Sequence, residues 1–208
     1  MRYHSGKVEV KYYYYNGSLI LLESRKPLMA PPRVTKKSIS PVVICLLADR
    51  PEVIPIIASW IYDEWSFLYA GKTRQYVENF LHERLHKKQL PITFVAFQSG
   101  EPVGTVSLKE FDIETRTDLT PWVTSLYVVK SLRGKGIGSR LMEAAEEKAG
   151  KLGIKKLFLF TADPDLAARF YRKLGWKTKE KTIYNSYKII IMEKRLAGTR
   201  QYRHIPVR

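Results

Sequence analysis

The segment Arg133-Gly134-Lys135-Gly136-Ile137-Gly138-Ser139 concentrates the residue types that hold an anion. Glycines leave backbone N–H groups uncovered and permit positive φ. The run before it, residues 122–129, reads as a strand, and residues 137–152 read as a helix. A helix starting here presents unpaired amides and the positive end of its dipole, which suits a phosphate or diphosphate. Arg133, Lys135 and Arg140 add cations at the same place. No Gly-Lys-Ser/Thr closes the turn, so it is not a P-loop, and the third glycine comes one residue early for a dinucleotide fingerprint. The spacing present is Arg-x-x-Gly-x-Gly.

Two other features carry chemistry in principle. His82-Glu83-Arg84-Leu85-His86 spells the helical zinc-protease motif. The histidines flank the apolar stripe of Val77, Leu81 and Leu85, and no third ligand follows at a recognisable spacing, so no metal is expected. Cys45 lies in an apolar run and reads as a core residue rather than a nucleophile.

The Arg-x-x-Gly-x-Gly spacing, entered from an apolar strand, resembles the acetyl-CoA motif of the GNAT superfamily of N-acetyltransferases. The likeness continues in Leu166-Ala167-Ala168-Arg169-Phe170-Tyr171-Arg172-Lys173-Leu174-Gly175-Trp176, which is similar to that family's next helix with its Phe/Leu-Tyr pair and terminal Gly-aromatic. Roughly three quarters of the chain matches the family's order of elements. The resemblance implies transfer of an acetyl group from acetyl-CoA to a primary amine, by direct attack in a ternary complex. It also implies site residues. The backbone of Leu126, Tyr127 and Val128 would hold the pantetheine arm, with an N–H near Leu126 as oxyanion donor. Arg133, Gly134, Lys135, Gly136, Ile137, Gly138 and Ser139 would hold the diphosphate. Tyr171 would protonate the departing thiolate, since phenols and thiols have neighbouring pKa values. Many members carry Asn where this chain has Pro164; Asp163 or Asp165 is the expected helix cap instead.

The acceptor side has no motif. Glu110, Asp112, Glu114 and Asp118 outnumber Arg116 over residues 110–118, and Asp63-Glu64 lies between Trp60 and Trp65. Either acidic spot could attract a cationic amine, and a solvated loop explains them equally well. Trp65, Glu110, Asp112 and Trp122 are the candidate acceptor contacts. No general base is identified.

The elements that must position these groups alternate along the chain. Residues 42–48 form an apolar run suited to a buried strand. Residues 51–65 and 73–88 carry helical stripes, with Ile57 and Ile61 in the first and Val77, Phe80, Leu81 and Leu85 in the second. Residues 92–98 and 102–111 read as a hairpin across Ser99-Gly100-Glu101. A strand over 122–129, a helix over 137–152, a strand over 156–161, a helix over 166–174 and strands over 176–181 and 187–193 follow. The expected fold is therefore α/β, one GNAT-type domain over residues 41–196 with a mixed sheet of about seven strands flanked by helices. Residues 1–40 form an N-terminal extension and linker, in which 8–15 and 19–22 could pair across Asn16-Gly17 and little independent fold is expected. Residues 197–208 form a basic tail.

The 208 residues carry a formal net charge of +16 and 45% hydrophobic residues, which excludes a mostly disordered chain. Eight Lys/Arg against two acids in residues 1–40, and five against none in 194–208, leave +5 for residues 41–193. Residues 39–48 are too short to span a bilayer as a helix, and residues 19–22 are too short for a secretory signal core. One cysteine allows no internal disulfide, so a reduced cytoplasmic setting without membrane attachment is expected. The partners expected are acetyl-CoA as co-substrate and a small-molecule or peptide amine. A dimer is compatible with the sequence. The alternative classes are a non-catalytic acyl-CoA-binding or regulatory module, and a nucleic-acid-associated protein using its basic tails.

Overall fold

The computed structural model describes residues 11–15, 18–22, 40–68 and 71–196, and the chain divides into units 1–39 and 40–208. In the first unit, β1 (Lys11–Tyr15) pairs antiparallel with β2 (Ser18–Leu22) as a separate two-stranded sheet. The pairing considered for residues 8–15 and 19–22 is thus present over these two strands. Its expected Asn16-Gly17 turn, the proline-rich linker and the 197–208 tail lie outside the described residues.

The second unit is built on a seven-stranded mixed sheet, the expected α/β architecture. It contains β3 (Val42–Leu46), β4 (Ile92–Gln98), β5 (Glu101–Lys109), β6 (Trp122–Val128), β7 (Lys156–Thr161), β8 (Lys177–Tyr184) and β9 (Tyr187–Arg195). Their spatial order is β3-β4-β5-β6-β7-β9-β8; β6 and β7 are parallel and the other neighbours antiparallel. Among the described residues four α-helices complete it: α1 (Ile54–Trp65), α2 (Arg74–His82), α3 (Ile137–Lys151) and α4 (Leu166–Lys173).

Helical periodicity decides which residues go inside. Ile54, Ile57 and Ile61 of α1, with Val77 and Leu81 of α2, bury against Val95 and Phe97 of β4. On the opposite face, Leu141, Met142, Ala145 and Ala149 of α3 pack with Ala96, Val106 and Val128. The two alanines bring α3 close to the sheet. A third cluster holds Ile113, Leu119, Trp122, Phe158, Ile189 and Ile191.

Two expectations change. The run at 42–48 is not a central strand: β3 is the sheet's edge, stops at Leu46, and leaves Val43 59% exposed. The second helix ends at His82 rather than Lys88. Leu85 instead makes an antiparallel β-bridge to Ile92, seven residues on, which takes the backbone out of the helix.

Gly104 fixes how closely β5 and β6 approach. A Cβ there would sit 2.7 Å from the Tyr127 carbonyl oxygen and 3.0 Å from Leu141 Cδ1. The first contact is backbone and cannot swing aside. Gly104→Ala should therefore destabilise the protein by about 1–3 kcal/mol, as overpacking does. Thermal unfolding checks this; an unchanged midpoint would show that β6 is free to shift.

Candidate active site

β6 and β7 pair in register only at Trp122 and Phe158, where the Phe158 amide donates to the Pro121 carbonyl at 3.0 Å. Past that point the two parallel strands separate. The cause is visible in β6. Two steps on β5, Thr105 to Ser107, face three on β6, Tyr127 to Thr124, and Ser125 has φ of 55°. This is a β-bulge, which bends its strand and interrupts the ladder.

The bulge decides where the backbone points. The Val129 amide donates to the Val103 carbonyl, and Thr105 stands opposite Tyr127. By the alternation of an antiparallel ladder, Tyr127 turns its amide toward β5, whereas Leu126 and Val128 turn theirs toward the gap beside β7.

The glycine segment lies at the mouth of this gap. Gly134 and Gly136 have φ of 77° and 82°, and Gly136 is the N-cap of α3. The first helical bond runs from the Arg140 amide to the Gly136 carbonyl at 3.2 Å, so Ile137, Gly138 and Ser139 begin the helix without intrahelical acceptors. A Cβ at Gly134 or Gly136 would meet nothing within 4 Å, which leaves open space over these amides. Gly138 does something different: its Cβ would touch Phe170 of α4 at 3.4 Å, so this glycine lets α4 close against the start of α3. Ile137 is buried and anchors the turn in the core.

The three cations expected at the turn have separate duties. Arg140 donates to the Val42 carbonyl of β3 at 2.7 Å. Arg133 donates through Nε to the Val128 carbonyl at 2.9 Å, pairs with Glu64 at 3.1 Å and lies 5.3 Å over the Tyr127 ring. It thereby ties the turn to both β6 and α1. Lys135 is exposed, and among the described residues no protein acceptor holds it. Tyr127 itself stacks on Trp60 at 5.2 Å and meets Trp65 edge-on at 6.4 Å. Burial is the main influence raising its phenol.

Tyr171 sits on α4 between Phe170 and Trp176, with ring centroids 5.3 and 6.3 Å away. Burial pushes its phenol well above the ordinary value, so it holds its proton throughout the neutral range, and the close match to a thiol expected from ordinary pKa values is not kept. Asp163 caps the helix, accepting from the Asp165 and Leu166 amides at 2.9 and 2.8 Å, and these backbone bonds hold its carboxyl below the usual range. The capping role expected of Asp163 or Asp165 thus falls to Asp163.

The candidate acceptor residues do not form one group. Trp65 is half-buried beside Tyr127. Glu110 is exposed, while Asp112 pairs with Lys109 at 2.7 Å; burial first, and then the charges of Glu114 and Asp112, raise the Tyr184 phenol. Asp118 is held by Arg116. Trp122 must be removed from the acceptor set. It is fully buried, its indole N–H donates to the Leu119 carbonyl, and it packs on Phe158 and Phe160. Trp122→Ala should cost about 3–5 kcal/mol of stability in a denaturant titration; a raised acceptor KM with intact stability would return it to the site.

The zinc-like motif is broken by the fold. His82 ends α2 and His86 lies beyond it, so they share no helical face; among the described residues no His/Cys/Asp/Glu group could hold a metal ion. Cys45 is half-buried on β3 and desolvation raises its thiol, which opposes a thiolate role. Among the described residues, no helix is long and apolar enough to cross a membrane.

The comparisons agree with this architecture. The model of the Acetyltransferase (GNAT) family matches residues 55–176. The chain is 31% identical over 114 residues to N-alpha-acetyltransferase 30 of Schizosaccharomyces pombe, covering 54% of this chain and 69% of that protein. An N-acetyltransferase from Staphylococcus aureus Mu50 superposes with a TM-score of 0.60 at 19% identity, over 76% of this chain and 100% of that one. An aminoglycoside 6'-N-acetyltransferase complexed with coenzyme A gives 0.59 at 17%, over 74% and 97%. With a family model spanning more than half of its length and a fold to match, this chain belongs to the GNAT family of acetyltransferases.

Proposed function

We propose that the chain transfers acetyl from acetyl-CoA to a primary amine by direct attack within a ternary complex. The observation that supports this best is the coincidence of a strand gap, lined by the amides of Leu126 and Val128, with a bare-amide turn at its mouth. The open space over Gly134 and Gly136 suits a diphosphate, which needs several N–H donors and no side chain in the way.

Each residue then has a task. The amides of Gly136, Ile137, Gly138 and Ser139, with Lys135, hold the diphosphate. Leu126 and Val128 hold the pantetheine arm as a neighbouring strand would be held. The Leu126 N–H faces the thioester oxygen and stabilises the charge that develops there. The amine nitrogen forms its bond to the acyl carbon, the carbon–sulfur bond breaks, and Tyr171 gives its proton to the leaving sulfur. The amine's surplus proton leaves to water, and water returns a proton to the Tyr171 phenolate. Trp60, Trp65 and Tyr127 form an aromatic wall beside this turn that suits the acceptor side, with the charge of Glu64 matched by Arg133.

The sequence relative's name denotes transfer to an α-amine, and a peptide α-amine is accordingly the first acceptor class to test. The experiment is thiol release from acetyl-CoA against a panel of peptides with free N-termini, polyamines and aminoglycosides. Release that depends on one amine class, with mass spectrometry showing the acetylated product, supports the proposal. Binding of acetyl-CoA without release by any amine would instead identify an acyl-CoA-binding module.

A further inference from the structure

The positive charge of the described body is segregated. Residues 41–165 contain sixteen Lys/Arg and sixteen Asp/Glu, a net of zero, whereas residues 166–196 contain nine and two, a net of +7. This second set comprises α4, β8 and β9, with β8 the terminal strand of the seven-stranded sheet. Its two acids are already engaged by cations from elsewhere, Glu180 by Arg116 and Glu193 by Lys156. Lys194 is likewise satisfied by Glu146 at 2.6 Å. Arg172, Lys173, Lys177, Lys181 and Lys188 remain exposed, and among the described residues none has a carboxylate within ion-pair distance.

Charge alone would describe a solubilising edge. The surface also has a shape. Lys181 stands opposite Ile190, and Ile183 opposite Lys188, so the two lysines share one face of the β8–β9 hairpin with two isoleucines. That face, with Ala162 and Pro164 of the loop before α4, encloses a hollow of about 390 Å³. Its rim is cationic and its floor aliphatic. Ile183 is left 68% exposed. The hollow involves neither the glycine turn nor Tyr171.

We propose that this face binds a single-stranded nucleic acid, with phosphates on Lys181, Lys188 and the α4 cations Arg172 and Lys173, and a base over Ile183 and Ile190. A polyanion is favoured because unpaired cations spread over a helix and a hairpin exceed what one small anion neutralises. A single strand is favoured over a duplex because an unpaired base is free to turn into a concave surface and a paired one is not. The inference does not depend on acetyl transfer.

The test uses the full chain and fluorescence anisotropy of a labelled single-stranded oligouridylate across a salt series. Lys181→Glu/Lys188→Glu should weaken binding at least ~10-fold, and removing two phosphate contacts should flatten the log–log salt slope by about 1.4. Lys72→Glu/Lys88→Glu changes the net charge equally at exposed sites elsewhere and should leave the affinity within about twofold of the parent. Both variants are first shown to unfold cooperatively near the parent midpoint. Equal loss in both pairs would reduce the effect to overall charge and overturn the proposal. Unchanged binding in the first pair would assign it to the basic tails and overturn it too. A duplex, polyglutamate or anionic lipid vesicles competing as well as the single strand would also refute it.

Discussion

Gly136→Glu is expected to weaken acetyl-CoA binding more than ~100-fold while leaving the protein folded. Two effects on stability oppose each other. A side chain at φ of 82° is strained by about 1 kcal/mol. A carboxylate at the start of α3 recovers about 0.3–1 kcal/mol from the helix dipole. Nothing lies within 4 Å of the new Cβ, so no clash adds to the cost. For the ligand both effects are harmful: the carboxylate covers the amides that the diphosphate needs and repels its charge. Gly136→Ala separates the causes, because it carries the strain without the anion. It should weaken binding by less than ~10-fold, since backbone strain alone is about 1 kcal/mol. Calorimetry on parent and variants measures this; equal affinity in Gly136→Glu would remove the glycine turn from the site.

Tyr171→Phe should lower kcat by about 100-fold or more with the KM for acetyl-CoA nearly unchanged, the signature of a lost general acid. The ring keeps its place between Phe170 and Trp176, so packing is preserved and only the proton donor is lost. Because burial raises the phenol, the parent should show no alkaline fall in kcat from Tyr171 up to about pH 10. The same shift has a sign in stability. The unfolded chain loses the phenolic proton near pH 10 and the folded one does not, so the contribution is complete below about pH 10 and declines above it. Parent minus Tyr171→Phe stability should therefore fall on the alkaline side. Unchanged turnover in the variant would assign the leaving-group proton to solvent.

Local signals carried most of the architecture. The stripes through Ile57 and Ile61, and through Leu141, Ala145 and Ala149, follow the helical period and bury as that period requires. Gly136 was legible because a positive φ and a bare amide have few sequence solutions. The departures from the local reading have two causes. Beyond α2, Leu85 bridges Ile92 only seven residues on, and the polar run between them reads equally well as more helix. Trp122 follows Thr-Pro in an acidic stretch and looks exposed, yet the partners that bury it, Phe158 and Phe160, come from the next parallel strand.

The site shows the same division. The strand gap arises from the bulge at Ser125, a residue with no sequence mark of positive φ, and from a pairing that stops after one register position. Arg133 reads as a phosphate ligand, while in the fold it is bonded to Val128 and Glu64, the latter 69 positions away. Gly138 reads as an amide exposer, and its contact with Phe170 adds a packing reason that becomes visible only when α4 is in place. The aromatic cluster of Trp60, Trp65 and Tyr127 was half legible, since only its α1 members lie near one another in sequence.

The gap between β6 and β7 and the turn at its mouth should act as one binding surface for acetyl-CoA. Hydrogen exchange with and without acetyl-CoA tests it at the amides concerned. Slowed exchange confined to Leu126, Val128 and the amides from Gly134 to Ser139 is the predicted result. No slowing there, or slowing confined to another part of the chain, would contradict it.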